Sequence, residues 1–182
     1  MRVLFEYDYK DYKTDGTVGI RPSVRGIIIK NGKLALVYSR KYDFYSIPGG
    51  GMDEGETQKE TLIREIREET GLEVIEDSIR EYGLVIKKEK GMIDDLFIQE
   101  HYYYLCDVYE GTTAQKLEAY EAKAEFELRW VDPETAIETN RTHHHGELND
   151  EEWAIRLYER EERLIRKLEE EGLLKGSTLT SQ

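Results

Sequence analysis

A chain of 182 residues with a formal net charge of −13 has room for one core of ordinary size, and its acidity opposes attraction to DNA, RNA or an anionic membrane. With 38% apolar residues and 13 tyrosines it is not a disordered chain, although 36% of it is charged. A lone cysteine, Cys106, excludes an internal disulfide, and its apolar neighbourhood reads as a buried, inert thiol in a reducing compartment.

The first residues, MRVLFEYDYKDY, alternate as an edge strand over 2–9. They show no basic start followed by a long apolar run, so no signal peptide is expected, and the protein is expected to be soluble and cytoplasmic. Residues 16–21 read as a polar connection. Strands are predicted over 23–30 and 33–39, joined by Asn31-Gly32, the strongest short hairpin signal.

This hairpin leads to Pro48, Gly49, Gly50 and Gly51, a turn whose bare backbone can approach a ligand closely. Thr57 with Glu60 three residues later is a capping box, which starts a helix over 58–70, and Gly71 supplies its left-handed end. Leu62, Ile63, Ile66 and Thr70 form one packing face. Glu65, Glu68 and Glu69 fall together on another, at i, i+3 and i+4.

Like charges so spaced destabilise a helix by about a few tenths of a kcal/mol per pair, so the cluster asks for a cation. A hard divalent ion with oxygen ligands, Mg2+ first and Mn2+ as its substitute, also takes phosphate oxygens. A solvated acidic face balanced by Arg64 and Arg67 is the plainer alternative. The glycine turn and the full spacing G-x5-E-x7-R-E-U-x-E-E-x-G-U (U aliphatic), met by Gly50, Glu56, Arg64, Glu65, Ile66, Glu68, Glu69, Gly71 and Leu72, decide against it.

Downstream, 73–75 is a short segment, 79–88 a strand, 87–91 a turn and 98–108 a tyrosine-rich strand. Residues 110–125 read as a loop carrying a helical turn. A strand over 126–131 ends at Asp132-Pro133, and a short helix follows over 134–138. From 149 to about 171 one long helix is expected, with Trp153, Leu157, Leu164, Ile165 and Leu168 along one side and Gly172 as its stop. Residues 1–175 are expected to form one domain, with 176–182 as a frayed tail. His143, His144 and His145 point apart in an extended loop and offer no histidine pair at i, i+4, so solvent exposure is expected.

The run IPGGGMDEGETQKETLIREIREETGL resembles the signature box of the Nudix hydrolases, which cleave nucleoside diphosphates linked to some other moiety, and ELRWVDPETAI further on is also similar to that family. The resemblance implies an α+β fold of the α/β/α sandwich type, a mixed sheet between helices with a long C-terminal helix. It implies Glu65, Glu68 and Glu69 as metal ligands, with Glu68 or Glu69 also activating water. Arg64 and Glu56 would support them, and Gly49, Gly50, Gly51 and Arg25 would face the phosphates, Arg25 having a surface ion pair as its alternative. A further base from outside the box would be Glu100, Glu121, Glu125 or Glu127. Tyr42, Phe44 and Tyr45 precede the glycines and either stack on a base or pack on the sheet.

The implied activity is Mg2+-dependent hydrolysis of a nucleoside triphosphate, a sugar nucleotide or a dinucleoside polyphosphate. The partner is then a small nucleotide, with neither polynucleotide nor membrane expected. A nucleotide-binding sensor without turnover is the alternative, and the intact carboxylates argue against it. An isoprenyl diphosphate isomerase would need a catalytic cysteine, and Cys106 lies in a strand without a glycine-rich context. The terminal helix is expected to pack on its own domain or on a second copy in a homodimer.

Overall fold

The computed structural model describes residues 1–142, 144–149 and 151–174. A five-stranded mixed sheet has the order β1 (Val3–Asp8), β7 (Arg80–Glu89), β8 (Leu96–Leu105), β2 (Val18–Ile27), β6 (Gly49–Gly51). Pairs β1–β7 and β2–β8 are parallel, while β7–β8 and β2–β6 are antiparallel. A smaller sheet is centred on β4 (Lys33–Ser39). Strands β3 (Ile29–Lys30) and β5 (Phe44–Ser46) flank it on one side and β9 (Phe126–Val131) on the other.

Two cores sit on opposite sides of these strands. Helix α1 (Gln58–Thr70) places Leu62 and Ile66 against Val24, Ile28 and Ala35. Helices α3 (Pro133–Thr142) and α4 (Glu152–Glu170) place Ile137, Leu164, Ile165 and Leu168 against Ile27, Leu36, Val85 and Tyr103. Each aliphatic side chain so buried contributes roughly 1.5–3 kcal/mol. The result is the α/β/α sandwich. Among the described residues no helix is long and apolar enough to cross a membrane.

Helix α1 begins and ends where its caps place it. Thr57 and Glu60 form the reciprocal capping box, and Gly71 at φ 73° closes the helix with its N–H on the Arg67 carbonyl. Asn31 and Gly32, at φ 52° and 75°, make the hairpin turn between β3 and β4.

Four expectations are corrected. Residues 18–21 are not a connection but the start of β2, because Val18 to Arg21 pair in parallel with Leu96 to Gln99. The strand expected over 23–30 is broken at Ile28, where the chain leaves one sheet and enters the other. The glycine turn is a strand: Gly49, Gly50 and Gly51 pair with Arg25, Val24 and Ser23. The helix expected over 134–138 runs on to Thr142. In 110–125 the helical turn is α2 (Ala119–Lys123).

Candidate functional site

Glu65 and Glu69 lie one helical turn apart on the side of α1 that faces the sheets, and both are buried. Glu121, on α2, is 2% exposed and meets them: one carboxylate oxygen from each of the three lies within 4.8 Å of the others. A second capping box, in which Glu121 and Glu118 exchange hydrogen bonds, fixes the Glu121 side chain; its Oε2 accepts from the Glu118 N–H at 2.7 Å. The segment before α2 is tied to the end of α1, Thr113 N–H donating to the Gly71 carbonyl at 2.7 Å and Lys116 N–H to that of Glu68 at 2.9 Å.

Burial, reinforced by Glu121 and Glu65, pushes the Glu69 carboxyl well above its ordinary range, although the Gly49 N–H and Arg25 oppose the shift. Burial also raises Glu65, against the pull of Arg64. Gly49 N–H donates to Glu69 Oε2 at 2.7 Å. The glycines are needed for closeness inside the protein: a Cβ on Gly50 would come within 2.5 Å of Glu65 Oε1, and one on Gly49 would strike the Val24 carbonyl. Gly49 also holds φ at 139°, which side chains disfavour.

Arg64 sits at the edge of this cluster. It donates to both oxygens of Glu56 at 2.7 and 2.9 Å, to Glu65 Oε1 at 2.7 Å and to the Gly51 carbonyl at 3.1 Å. The guanidinium holds the Glu56 carboxyl down to about 2, helped by the Asp53 N–H and the Thr61 hydroxyl. Glu68 is outside the buried trio, half-exposed at 3.3 Å from Arg64, and opens onto a groove of about 950 Å³ shared with Glu56, Arg67 and Lys116.

On the other side of Glu69 lies a cavity of about 320 Å³. Arg25, Gly49 and Glu69 form its polar end, and Tyr42, Phe44 and Phe126 its apolar walls. Tyr120 and Trp153, 60% and 51% exposed, flank it from α2 and α4. Arg25 donates through Nη1 to the Ile47 carbonyl at 2.8 Å, and its buried Nε has no hydrogen-bond partner.

The structure thus brings Glu65, Glu69, Arg64, Glu56, Arg25 and the glycines together. Of the four further carboxylates it adds only Glu121. Glu100 accepts from the Tyr102 hydroxyl at 2.8 Å, Glu125 pairs with Arg40 at 2.9 Å and Glu127 with Arg129 at 2.6 Å. Tyr42 and Phe44 line the cavity, whereas Tyr45 packs on Tyr38 in the core. Sequence reasoning missed Tyr120, and it set Trp153 on the packing side of the terminal helix, where the structure instead leaves it half-exposed at the cavity; the spacing Glu118-x-x-Glu121, a capping box, was the signal for α2.

His145 is buried rather than exposed, its ring nitrogens 2.9 and 3.1 Å from the Tyr42 and Asn140 carbonyls. His144 is exposed and bonds Asn149, while His143 lies outside the described residues, as does the tail at 176–182. Cys106 is buried, and burial pushes its thiol up to about 12.

Three buried carboxylates converging in one place fit a divalent cation: the donors are all hard oxygens, and their mutual repulsion is relieved by positive charge.

The sequence-family model described as "NUDIX domain" matches residues 19–151. An ADP-ribose pyrophosphatase of Methanocaldococcus jannaschii is 36% identical over 76 residues, which cover 39% of this chain and 43% of that protein. An RNA pyrophosphohydrolase of Photobacterium profundum is 45% identical over 56 residues, 30% of this chain and 32% of that one. A CTP pyrophosphohydrolase of Escherichia coli is 30% identical over 119 residues, 63% of this chain and 78% of that one. The chain therefore spans less than half the length of the first two relatives. The solution structure of the E. coli ORF135 protein shares the fold, with a TM-score of 0.50 and 22% identity over 78% of this chain and 88% of that one.

Proposed function

The chain belongs to the Nudix family, and from that premise we propose that it is a Mg2+-dependent hydrolase, with Mn2+ as a substitute ion, cleaving the pyrophosphate bond of a nucleoside diphosphate linked to another moiety. The observation that carries this reading is the buried meeting of Glu65, Glu69 and Glu121 beside the glycine strand. When bound, the ion would neutralise developing charge on the phosphates and make water a nucleophile at neutral pH.

Glu65, Glu69 and Glu121 would hold that ion, and Glu68 would meet the diphosphate from the groove side. Gly49 N–H holds Glu69, and Arg64 holds Glu65, so the two carboxylates keep one orientation. Glu69 and Glu121 are the candidates to take the proton from water, Glu121 being the base from outside the signature box. Arg25, which lines the cavity beside Gly49 and Glu69, would donate to a phosphate oxygen. Tyr120 and Trp153 at the cavity mouth suit a planar base, whose faces stack on aromatic rings.

The relatives are named for ADP-ribose, RNA and CTP, so nucleoside triphosphates, nucleoside diphosphate sugars and dinucleoside polyphosphates are the compounds to assay. The net charge of −13 weighs against a long polynucleotide. The test is a screen of these compounds with Mg2+ or with chelator, repeated on Glu69→Gln and Glu121→Gln. Metal-dependent turnover lost in both variants supports the assignment. Turnover undiminished in both sinks it, and tight nucleotide binding without any turnover points to a sensor.

A further inference from the structure

The backbone leading from β5 into the glycine strand has one open edge, and side chains fill it. Strand β5 pairs with β4 on one side only. On the other side every second residue is held, as the period of two in an extended chain requires. Asn140 of α3 accepts from the Tyr45 N–H at 2.7 Å and donates to the Tyr45 carbonyl at 2.8 Å. Glu161 of α4 accepts from the Ile47 N–H at 3.0 Å, while Arg25 donates to the Ile47 carbonyl at 2.8 Å. Glu69 accepts from the Gly49 N–H at 2.7 Å. Asn140, Glu161, Arg25 and Glu69 together do the work of a neighbouring strand, and the last rung belongs to the carboxylate cluster.

Glu161 is 1% exposed and Arg160 is also buried, both within the apolar stripe of α4. Arg160 donates to Glu161 Oε1 at 2.5 and 3.1 Å, and its Nη1 meets His101 Nε2 at 3.3 Å. Arginine only donates, so His101 presents a bare Nε2, carries its proton on Nδ1 and donates to Ser23 Oγ at 2.6 Å. That proton placement also prevents His101 from activating Ser23 as a nucleophile. Ser23 is the register partner of Gly51. From α4, then, one hydrogen-bonded path reaches Ile47 before the glycine strand, and another reaches the residue opposite its end.

A buried ion pair is a weak stabiliser, because desolvation offsets the attraction and apolar residues of similar volume often serve as well. An apolar pair cannot accept the Ile47 N–H. We propose that Glu161 is a positioning residue for the glycine strand: its carboxylate fixes Ile47 and thereby the Gly49 N–H that orients Glu69, while Arg160 holds Glu161 in place. The consequence for the ion rests on the reading of the carboxylate cluster as a metal site.

The test compares Arg160→Met/Glu161→Leu, Arg160→Met/Glu161→Gln and the core variant Leu164→Ala, using Mn2+ titration, thermal melting and hydrogen exchange of the Ile47 and Gly49 amides in metal-free protein. The leucine pair is expected to stay folded, to exchange both amides faster, and to bind Mn2+ about tenfold more weakly, as for groups that orient metal ligands. The glutamine pair restores an acceptor without a buried cation beside its amide, and should return both properties to near the wild-type values. Leu164→Ala should lower the melting temperature and leave Mn2+ affinity unchanged.

If the leucine pair does not fold, the single Glu161→Gln, whose amide oxygen turns to the Arg160 guanidinium and leaves its NH2 against the Ile47 N–H, takes its place with the same expected loss. Wild-type Mn2+ affinity together with a protected Gly49 amide in the leucine pair, or an equal affinity loss in Leu164→Ala, overturns the proposal. A wild-type protein that binds no Mn2+ strikes the metal reading instead, and amide exchange still decides whether Glu161 holds the strand.

Discussion

Neutralising Glu121 should stabilise the metal-free protein and weaken its response to metal. Two unit charges 4.8 Å apart repel by roughly 3.5 kcal/mol at an effective dielectric of about 20, and Glu121 faces two partners within that distance. Proton uptake on Glu69, whose carboxyl is already pushed well upward, removes much of this repulsion, leaving about 1–2 kcal/mol as the expected relief. The amide introduced by Glu121→Gln keeps an acceptor for the Glu118 N–H, so the α2 cap survives the change. At roughly 2–4 °C per kcal/mol, Glu121→Gln should melt about 2–8 °C above the wild type in chelator.

With Mg2+ at a hundred times its dissociation constant the wild type gains about 2.7 kcal/mol, and the variant, having lost a ligand, gains less, so the order of melting temperatures closes or inverts. The sign of the pH dependence follows from the raised carboxyls of Glu69 and Glu65. Their contribution is fully present below the unfolded glutamate value and is lost as pH rises through the folded one. Metal-free wild type should therefore melt higher as pH falls from 8 toward 6.5, above the range in which the His101 contribution sets in, and more steeply than Glu121→Gln. Thermal melts in chelator and in Mg2+ across that range test this. A variant that melts lower in chelator yet keeps the full Mg2+ gain refutes the reasoning.

Cys106, with its thiol raised to about 12 by burial, should resist alkylation in the native protein at pH 8 and react fully once unfolded, as read by mass spectrometry. Burial first, then Arg160 and Arg25, holds His101 neutral well below its ordinary value. As pH falls below about 6.5 the unfolded chain takes a proton that the folded one refuses, so stability falls by about 1.4 kcal/mol per pH unit from this group. Denaturant titrations at several pH values should show a shallower acid decline in His101→Gln than in the wild type. Gly50→Ala drives a methyl toward Glu65 Oε1, and should cost about 1–3 kcal/mol of stability along with part of the metal affinity, read by melts with and without Mg2+.

What the sequence shows well is local. The α1 caps, the Asn31-Gly32 turn and the β9 boundaries depend on neighbouring residues, and the structure reproduces them. What it shows poorly is partnership. Residues 18–21 are a strand because β8 lies beside them, and Gly49–Gly51, poor strand formers, are a strand because β2 accepts their close approach. Glu121 could not be preferred to Glu100, Glu125 or Glu127 by spacing, since what selects it is the tie between 113–116 and the end of α1. Asn140, Arg160 and Glu161 are polar residues of helices that face inward: Asn140 and Glu161 bond backbone groups far along the chain, and Arg160 bonds the side chains of Glu161 and His101.

The acidic and apolar faces of α1 were expected to be separate, and the structure merges them for a reason the spacing contains. Positions 62, 65, 66, 69 and 70 follow i, i+3, i+4, i+7 and i+8, the stripe that a helix turns toward a core. Leu62, Ile66 and Thr70 are buried there, and Glu65 and Glu69 must be buried with them. Glu68 falls off the stripe and stays at the groove with Arg64. Rotating α1 to hide Leu62 and Ile66 is therefore the same motion that carries two carboxylates into low dielectric beside Gly49 and Glu121. Packing and the candidate ion site are one constraint: a change that loosens the α1 core should weaken the cluster, and a cation held by the cluster should stiffen that core.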